Sequence, residues 1–431
     1  MCLAKGLVIG APRSGSGKTV ITLGLLAALR RRGVVVAPAK TGPDYIDPAF
    51  LGRAAMREAV NLDPWSMAPE RLRQLAGTQA TGADLLLIEG VMGLFDGAAD
   101  GQGSTADLAE KLGLPVVLVV DADRQSQSIA PLVAGFAHWR AGVRVAGVIL
   151  NRVASAKHER MLVEALAATG ITCLGAIPRN AALVVPERHL GLVLPGEVGA
   201  FEAFLDEAAG ATGRFIDLDA LLALAMPLGD SAAGPAPLAP LGQHIAIARD
   251  DAFAFAYPHL LDGWRAMGAQ VTPFSPLRDE APDASADAVF LPGGYPELHG
   301  ATLANAATFK TGLLAARERG ALIYGECGGF MVLGDALVDK AGESHAMTGL
   351  LPLTTRIDRP KRVLGYRRLL QAGDLPWPAR LNGHEFHYSS ARQSRLEPLF
   401  AATDARGEAL PDMGAVIGRV MGSYAHVIDA A

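Results

Sequence analysis

Two stretches of this chain set glycines around a reactive side chain, and each arrangement suits a particular chemistry. In the first, Ala11–Thr19 reads APRSGSGKT, after the short apolar run Leu7–Ile9 and before a segment of helical character. Small residues let backbone N–H groups close around phosphate oxygens, and the start of a helix adds positive potential. Ser14, Gly15, Ser16 and Gly17 would form the cradle, Lys18 would reach the β- and γ-phosphates, and Thr19 would offer its hydroxyl to Mg2+. The usual G-x4-GK[ST] spacing puts its first glycine at position 12, where this chain has Pro12. A glycine-rich strand-to-helix turn without nucleotide is the plainer reading of the same residues.

In the second stretch, ALIYGECGGFMVLG (321–334), Cys327 occupies a G-x-C-x-G turn between a strand and a helix. Small flanking residues permit a strained turn that exposes a nucleophile. A free thiol has a pKa of about 8.5, and a helix N-terminus favours its thiolate. A buried structural cysteine is the alternative. Acyl chemistry also needs a base and oxyanion donors. LPGGYPE (291–297) offers the Gly293–Gly294 backbone, with Gly294 and the Gly328 amide as the donor pair. His426 in GSYAHV is the preferred base, because short neighbours should leave its ring accessible, with His384 and His387 in NGHEFHYS as rivals.

Further polar residues accompany the phosphate loop. Lys40 precedes TGPDYIDP (41–48), where Asp44, Tyr45 and Asp47 are too polar for a core and two prolines should stop a helix. A bland surface loop would share this composition, but a lysine and two carboxylates beside a phosphate loop suit metal and phosphate positioning. Glu89 ends the apolar run LLLIE, where a carboxylate could hold Mg2+, and Asp96 lies in the glycine-rich loop after it. Asn151 ends VAGVILN; it could read an adenine edge or cap a helix.

These residues need elements to position them. Leu7–Ile9, Val34–Ala37, Leu85–Ile88, Val116–Val120 and Val145–Leu150 are continuous apolar runs bounded by glycine and proline, as in strands buried on both faces of a parallel sheet. A helix is expected from Lys18 to about Arg31. Residues 227–243, with four prolines and three glycines, have a linker's composition. A second α/β pattern follows, with strands at Ile245–Ala248, Ala288–Leu291 and Ala321–Tyr324. The reading is α/β throughout, two doubly wound domains of residues 1–235 and 236–431.

Composition excludes more than it names. The chain has 431 residues, too many for one ordinary core. Lys plus Arg is 39 against 44 for Asp plus Glu, net −5, which argues against nucleic-acid binding. Half the residues are hydrophobic and 19% charged, which excludes disorder. Cys2, Cys173 and Cys327 lie too far apart for a disulfide framework or a CxxC metal site. No apolar run reaches the ~20 residues of a membrane span. The apolar start resembles a signal peptide, but Arg13 and the glycine loop cut it short, so the chain reads as cytoplasmic, with no membrane partner.

In order, APRSGSGKT, KTGPDYIDP, EGVMGLFDG and GSTADLA, then LPGGYPE, YGECGGFMVLG, NGHEFHYS and GSYAHV, resemble the cobyrinate a,c-diamide synthase family, over nearly the whole chain. They are especially similar to its hydrogenobyrinate branch in the oxygen-dependent cobalamin pathway. The resemblance implies a dethiobiotin synthetase-like, P-loop NTPase-like ATP domain, whose relatives also lack the first glycine. Fused to it would be a class I glutamine amidotransferase domain of flavodoxin-like fold. It implies that Cys327 and His426 release ammonia from glutamine. ATP–Mg2+, held by Gly17, Lys18, Thr19 and Glu89, would phosphorylate a corrinoid acetate that ammonia then converts to an amide. It also implies substrate or metal roles for Lys40, Asp44, Tyr45, Asp47 and Asp96, and it is compatible with a homodimer.

One departure concerns the histidine. Class I glutamine amidotransferases often carry Glu two positions after it, whereas this chain has Ile428, as the cobyrinate subfamily also lacks that carboxylate. The basic residues Arg356, Arg359, Lys361, Arg362, Arg367 and Arg368 read as a solvated face. Rival readings are cobyric acid synthase, nickel-sirohydrochlorin a,c-diamide synthase, and a partner-binding ATPase of the partitioning type.

Overall fold

The computed structural model describes residues 4–183, 201–229, 234–393 and 396–431, with the two-residue strands 187–188 and 191–192. Cys2 and part of the expected linker lie outside the described residues. The chain forms two compact units, Met1–Pro235 and Ala236–Ala431.

The first unit alternates strands and helices: β1 (Lys5–Gly10), α1 (Lys18–Arg31), β2 (Val36–Thr41), β3 (Val60–Leu62), β4 (Leu85–Glu89), β5 (Val116–Asp121), β6 (Val145–Val153) and β7 (Thr172–Pro178). The strands pair in parallel in the order β3-β2-β4-β1-β5-β6-β7. The apolar runs behave as expected of strands covered on both faces, and β2, β4 and β5 are buried along their whole length. The order reverses at β1, the kind of switch point where open α/β sheets bind ligands at the carboxyl ends of their strands. The phosphate loop leaves β1 at that end, Glu89 closes the adjacent β4, and Lys40 on β2 stands opposite Glu89.

Three local readings need correction. The second strand runs Val36–Thr41 rather than Val34–Ala37, because Lys40 is buried within it against carboxylates. Prolines do not stop a helix after it: Ile46–Ala55 is helical with Pro48 in its first turn, where a missing N–H costs nothing. The linker composition begins with an ordered pair, since Met226 and Pro227 pair antiparallel with Gly6 and Lys5.

The second unit holds a six-stranded sheet in the order Gln270–Phe274, His244–Ala248, Ala288–Leu291, Leu322–Glu326, Val420–Ser423, Ala415–Ile417, parallel except for the last pair. A four-stranded antiparallel sheet orders Phe400–Thr403, Val363–Gln371, Arg380–His387 and Ala425–Ala430. The chain passes from one sheet to the other through Tyr424: Ser423 pairs with Glu326, and His426 pairs with His384. Among the described residues, no helix is long and apolar enough to cross a membrane.

Gly24 lies inside α1 although glycine there costs about 1 kcal/mol relative to alanine. A Cβ at this position would fall 2.6 Å from both the Ala208 carbonyl oxygen and Thr212 Cγ2 of the helix Phe201–Phe215. We therefore expect Gly24→Ala to lose about 1–2 kcal/mol despite its better helix propensity. Urea denaturation of the two proteins measures this, and a more stable variant would show that the helix contact yields freely.

Candidate active site

At the carboxyl edge of the first sheet the backbone at Gly15 and Gly17 is left-handed, with φ 80° and 91°. That conformation favours glycine and turns the loop into α1. Ser16 is buried and donates to the Arg13 carbonyl at 2.9 Å, whereas Ser14 is exposed. Lys18 is buried, and burial, followed by the charge of Lys40, lowers its pKa. Thr19 Oγ1 donates to Glu89 Oε1 at 2.6 Å.

Lys40 organises the charges beside this loop. Its Nζ contacts Asp47 and lies 3.2 Å from Glu89 Oε1 and 3.8 Å from Asp44 Oδ2. Burial alone would lower the lysine pKa, but Asp47, Glu89 and Asp44 together raise it, so it stays charged. Glu89 is fully buried, and burial raises its carboxyl pKa against the pull of Lys40. Asp44 is raised by burial and by the Asp47 charge; its Oδ1 accepts the Ile46 and Asp47 amides at the start of their helix. Tyr45 stands at the N-cap of that helix.

The donor set fits a hard divalent cation. Glu89 Oε2 is buried with no hydrogen-bond partner among the described residues, next to the Thr19 hydroxyl, and oxygen donors of this kind suit Mg2+. Asp47 is different, because its carboxylate is committed to Lys40. Asp96 is exposed, and its Oδ2 accepts the Gly93 amide at 2.9 Å. A Cβ on Gly93 would come 2.8 Å from the Pro12 carbonyl oxygen, so this loop lies against the phosphate loop.

Asn151 is no helix cap; Ser155 caps the next helix. Its Nδ2 donates to the Ser16 carbonyl at 2.9 Å, bracing the phosphate loop from the end of β6. Asp121 and Arg152, which belong to no sequence motif, join it. Asp121, at the end of β5, takes Arg152 Nη1 at 2.7 Å and Arg13 Nη2 at 3.3 Å, while Arg152 also donates to the Gly15 carbonyl.

In the second unit Cys327 follows its strand with φ 48° and ψ −107°, a strained conformation for a residue with a Cβ. The turn fits only because its neighbours are glycines: a Cβ on Gly329 would lie 1.9 Å from the Leu291 carbonyl oxygen. The Cys327 amide donates to the Ser423 carbonyl at 2.8 Å. Here the expected activation by a helix start fails, because the helix Gly328–Leu333 is short and burial pushes the thiol pKa well up. A base must therefore remove its proton.

The ring of His426, the expected base, is buried and not accessible as the short neighbours suggested. A Cβ on Gly293 would sit 2.3 Å from His426 Cε1, 3.1 Å from its Nε2 and 3.2 Å from Cys327 Cβ. Gly293 is thus the shared floor between imidazole and thiol. The Gly328 amide faces the sulfur, and a Cβ on Gly328 would lie 3.0 Å from the Gly294 nitrogen, so the two expected oxyanion donors are neighbours.

The rival histidines are placed otherwise. His384 is buried beside His426, and burial, then the His426 and Arg367 charges, push its pKa down to about 3. His387 is engaged by Glu385 Oε1 at 2.7 Å and the Ser389 carbonyl, and stacks on Tyr424 with ring centroids 3.9 Å apart. Glu385 also pairs with the buried Arg367 at 2.8 Å. Arg367 therefore leaves the solvated basic face, and Arg368 donates to the Ala405 carbonyl. Glu297, at the end of LPGGYPE, bears on the thiol electrostatically, and burial raises its own pKa to about 7.

Comparison with known proteins gives two domain matches. Residues 7–193 match the CobQ/CobB/MinD/ParA nucleotide-binding domain, and residues 244–431 the CobB/CobQ-like glutamine amidotransferase domain. A hydrogenobyrinate a,c-diamide synthase of Brucella abortus is 56% identical over 99% of this chain and 98% of its own length. Proteins of the same name from Rhizobium meliloti (53%, 98% of this chain and 99% of theirs) and Rhodobacter capsulatus (50%, 98% of each) are similar over equal extents.

Removing the Lys40 charge would strand buried carboxylates around an empty volume. Lys40→Met is expected to lose about 3–5 kcal/mol of stability. The check is a denaturation midpoint for the variant beside the parent; an unchanged midpoint would mean that Asp47 and Glu89 do not depend on the lysine.

Proposed function

We infer the reaction from one premise: the chain belongs to the hydrogenobyrinate a,c-diamide synthase family. It is a glutamine- and ATP-dependent ligase that amidates the a and c acetate side chains of hydrogenobyrinate, a step of cobalamin biosynthesis. The observation that carries this reading is that one chain holds both halves of such chemistry. A strained, glycine-flanked Cys327 and His426 both pack on Gly293, and a phosphate loop lies beside Glu89 and Lys40.

In the second unit His426 takes the thiol proton as Cys327 Sγ attacks the side-chain carbonyl of glutamine. The Gly294 and Gly328 amides receive the oxyanion. Collapse expels ammonia, with the proton returned through His426, and water then cleaves the thioester to glutamate.

In the first unit Ser14, Gly15, Ser16, Gly17 and Lys18 hold the triphosphate, and Asn151 keeps the loop in shape from behind. Thr19 and Glu89 would hold Mg2+, which supplies charge neutralisation at the phosphates. Lys40 fixes the carboxylates of Asp47 and Glu89 beneath the edge where the substrate carboxylate would bind, and Asp44, Tyr45 and Asp96 flank the same edge. The carboxylate attacks the γ-phosphorus and ADP leaves. Ammonia then attacks the acyl carbon and phosphate leaves, giving the amide. Two rounds complete the diamide.

Cys327→Ala separates the halves. With purified protein, ATP, Mg2+ and hydrogenobyrinate, and with products identified by mass, glutamine-dependent diamide formation should fall at least ~1,000-fold. Synthesis from ammonium salts should persist. Glutamine use surviving in the variant, or loss of both activities in a folded protein, would sink the two-site reading. The same assay with cobalt-containing cobyrinate tests the choice of ring; faster turnover of the cobalt form would overturn the metal-free assignment.

A further inference from the structure

Ile428 occupies the position where a class I amidotransferase often places the carboxylate that orients its histidine. The fold supplies a carboxylate from elsewhere. Glu326, the last residue of the strand Leu322–Glu326 and the immediate neighbour of Cys327, is 2% exposed, and its Oε2 lies 3.6 Å from His426 Nδ1. Its other oxygen is fixed twice: Oε1 accepts Tyr324 Oη at 2.9 Å and the Val427 amide at 3.0 Å. The Val427 amide belongs to the residue next to the histidine, so the carboxylate is tied to the same backbone that carries the ring. The Cε1–Nε2 edge of that ring faces Gly293, which also abuts Cys327 Cβ. The imidazole thus has the carboxylate on its Nδ1 side and the backbone it shares with Cys327 on its Nε2 side.

We propose that Glu326 is the positioning residue of the glutaminase site, holding His426 with its proton on Nδ1 so that Nε2 can take the proton of Cys327. This rests on the assignment of Cys327 and His426 made above and adds a third member, contributed by the residue that precedes the nucleophile. The electrostatics follow from burial. When His426 gains the thiol proton it becomes a cation in a site with little water, and a carboxylate beside Nδ1 stabilises that cation as well as orienting the neutral ring. Tyr324 serves the same end indirectly. Burial and the Glu326 charge raise its phenol pKa, so it remains a hydrogen-bond donor to Oε1 and keeps Oε2 turned toward the histidine.

Glu326→Gln tests this without changing the volume of the site. The Gln carbonyl can accept from Tyr324 and Val427 as Oε1 does, which directs the NH2 group at Nδ1. The ring is then driven to the Nε2–H tautomer, the wrong one for accepting a thiol proton. We expect glutamine-dependent kcat to fall about 10–100-fold with KM for glutamine little changed. Synthesis from ammonium salts, which bypasses Cys327, serves as the folding control. In 15N spectra of histidine-labelled protein, the His426 signals (identified by their loss in His426→Asn) should report Nδ1–H in the parent and Nε2–H in Glu326→Gln. An unchanged kcat or tautomer in Glu326→Gln, with Cys327→Ala still devoid of glutamine use, would overturn the role of Glu326 and leave the two-site reading standing. A parallel fall in ammonia-dependent synthesis would also overturn it, by showing an effect through the fold. Glutamine use by Cys327→Ala would remove the reading beneath it.

Discussion

The turn at Cys327 constrains much of the second unit. A positive φ with ψ near −107° at a residue with a Cβ costs on the order of 1–3 kcal/mol and persists only where the surroundings over-determine it. Here they do. The Cys327 amide is held by Ser423 across the sheet, Gly329 packs directly on the Leu291 carbonyl, and Gly325 packs against the helix that follows. The same bond to Ser423 fixes where the neighbouring strand ends, and so where the chain turns through Tyr424 into the antiparallel sheet that carries His426. Cys327 and His426 are far apart in sequence, yet each lies just beyond one member of the hydrogen-bonded strand pair Leu322–Glu326 and Val420–Ser423.

The first unit solves an opposite problem, holding charges where water is scarce. Glu89 and Lys40 are buried on adjacent strands, and neither would remain ionised alone, because burial opposes both charges. Pairing settles the lysine in its charged form and leaves one Glu89 oxygen without a protein partner. A residue set of this kind is poor value as a stability device, since apolar residues of the same size pack as well without desolvation. It makes physical sense as a site prepared for charged ligands at the carboxyl edge of the sheet.

Local chemistry was legible in the sequence and cross-strand chemistry was not. Gly15, Gly17 and Lys18 announce a phosphate loop because all of its geometry is carried by consecutive residues, and the same holds for the glycines around Cys327. The parallel strands were legible because burial on both faces leaves continuous apolar runs. Lys40 inside a strand was not, since its tolerance there depends on Asp47 and Glu89. Asn151, Arg152 and Asp121 converge on the phosphate loop only because β5 and β6 end side by side. Pro48 misled for a related reason: its position in the first turn of a helix, and not its identity, decides whether it breaks one. Accessibility of His426 also could not be read from short neighbours, because residues distant in sequence, Gly293, Glu326 and His384, close around it.

The division into two units follows from what the proposed chemistry demands of its surroundings. A thiol kept neutral at rest needs a site poor in water and in cations, as burial and the carboxylates around Cys327 provide. The proposed phosphorylation of a carboxylate would instead call for positive charge, as Lys18 and a bound cation would supply. Those cations beside Cys327 would stabilise its thiolate at rest and expose it to unproductive reaction. The carboxylates that temper Lys40 would, in the other site, add to the negative charges that already burden the thiol. One pocket cannot satisfy both electrostatic requirements, which accounts for two separate units, each with its own set of charges.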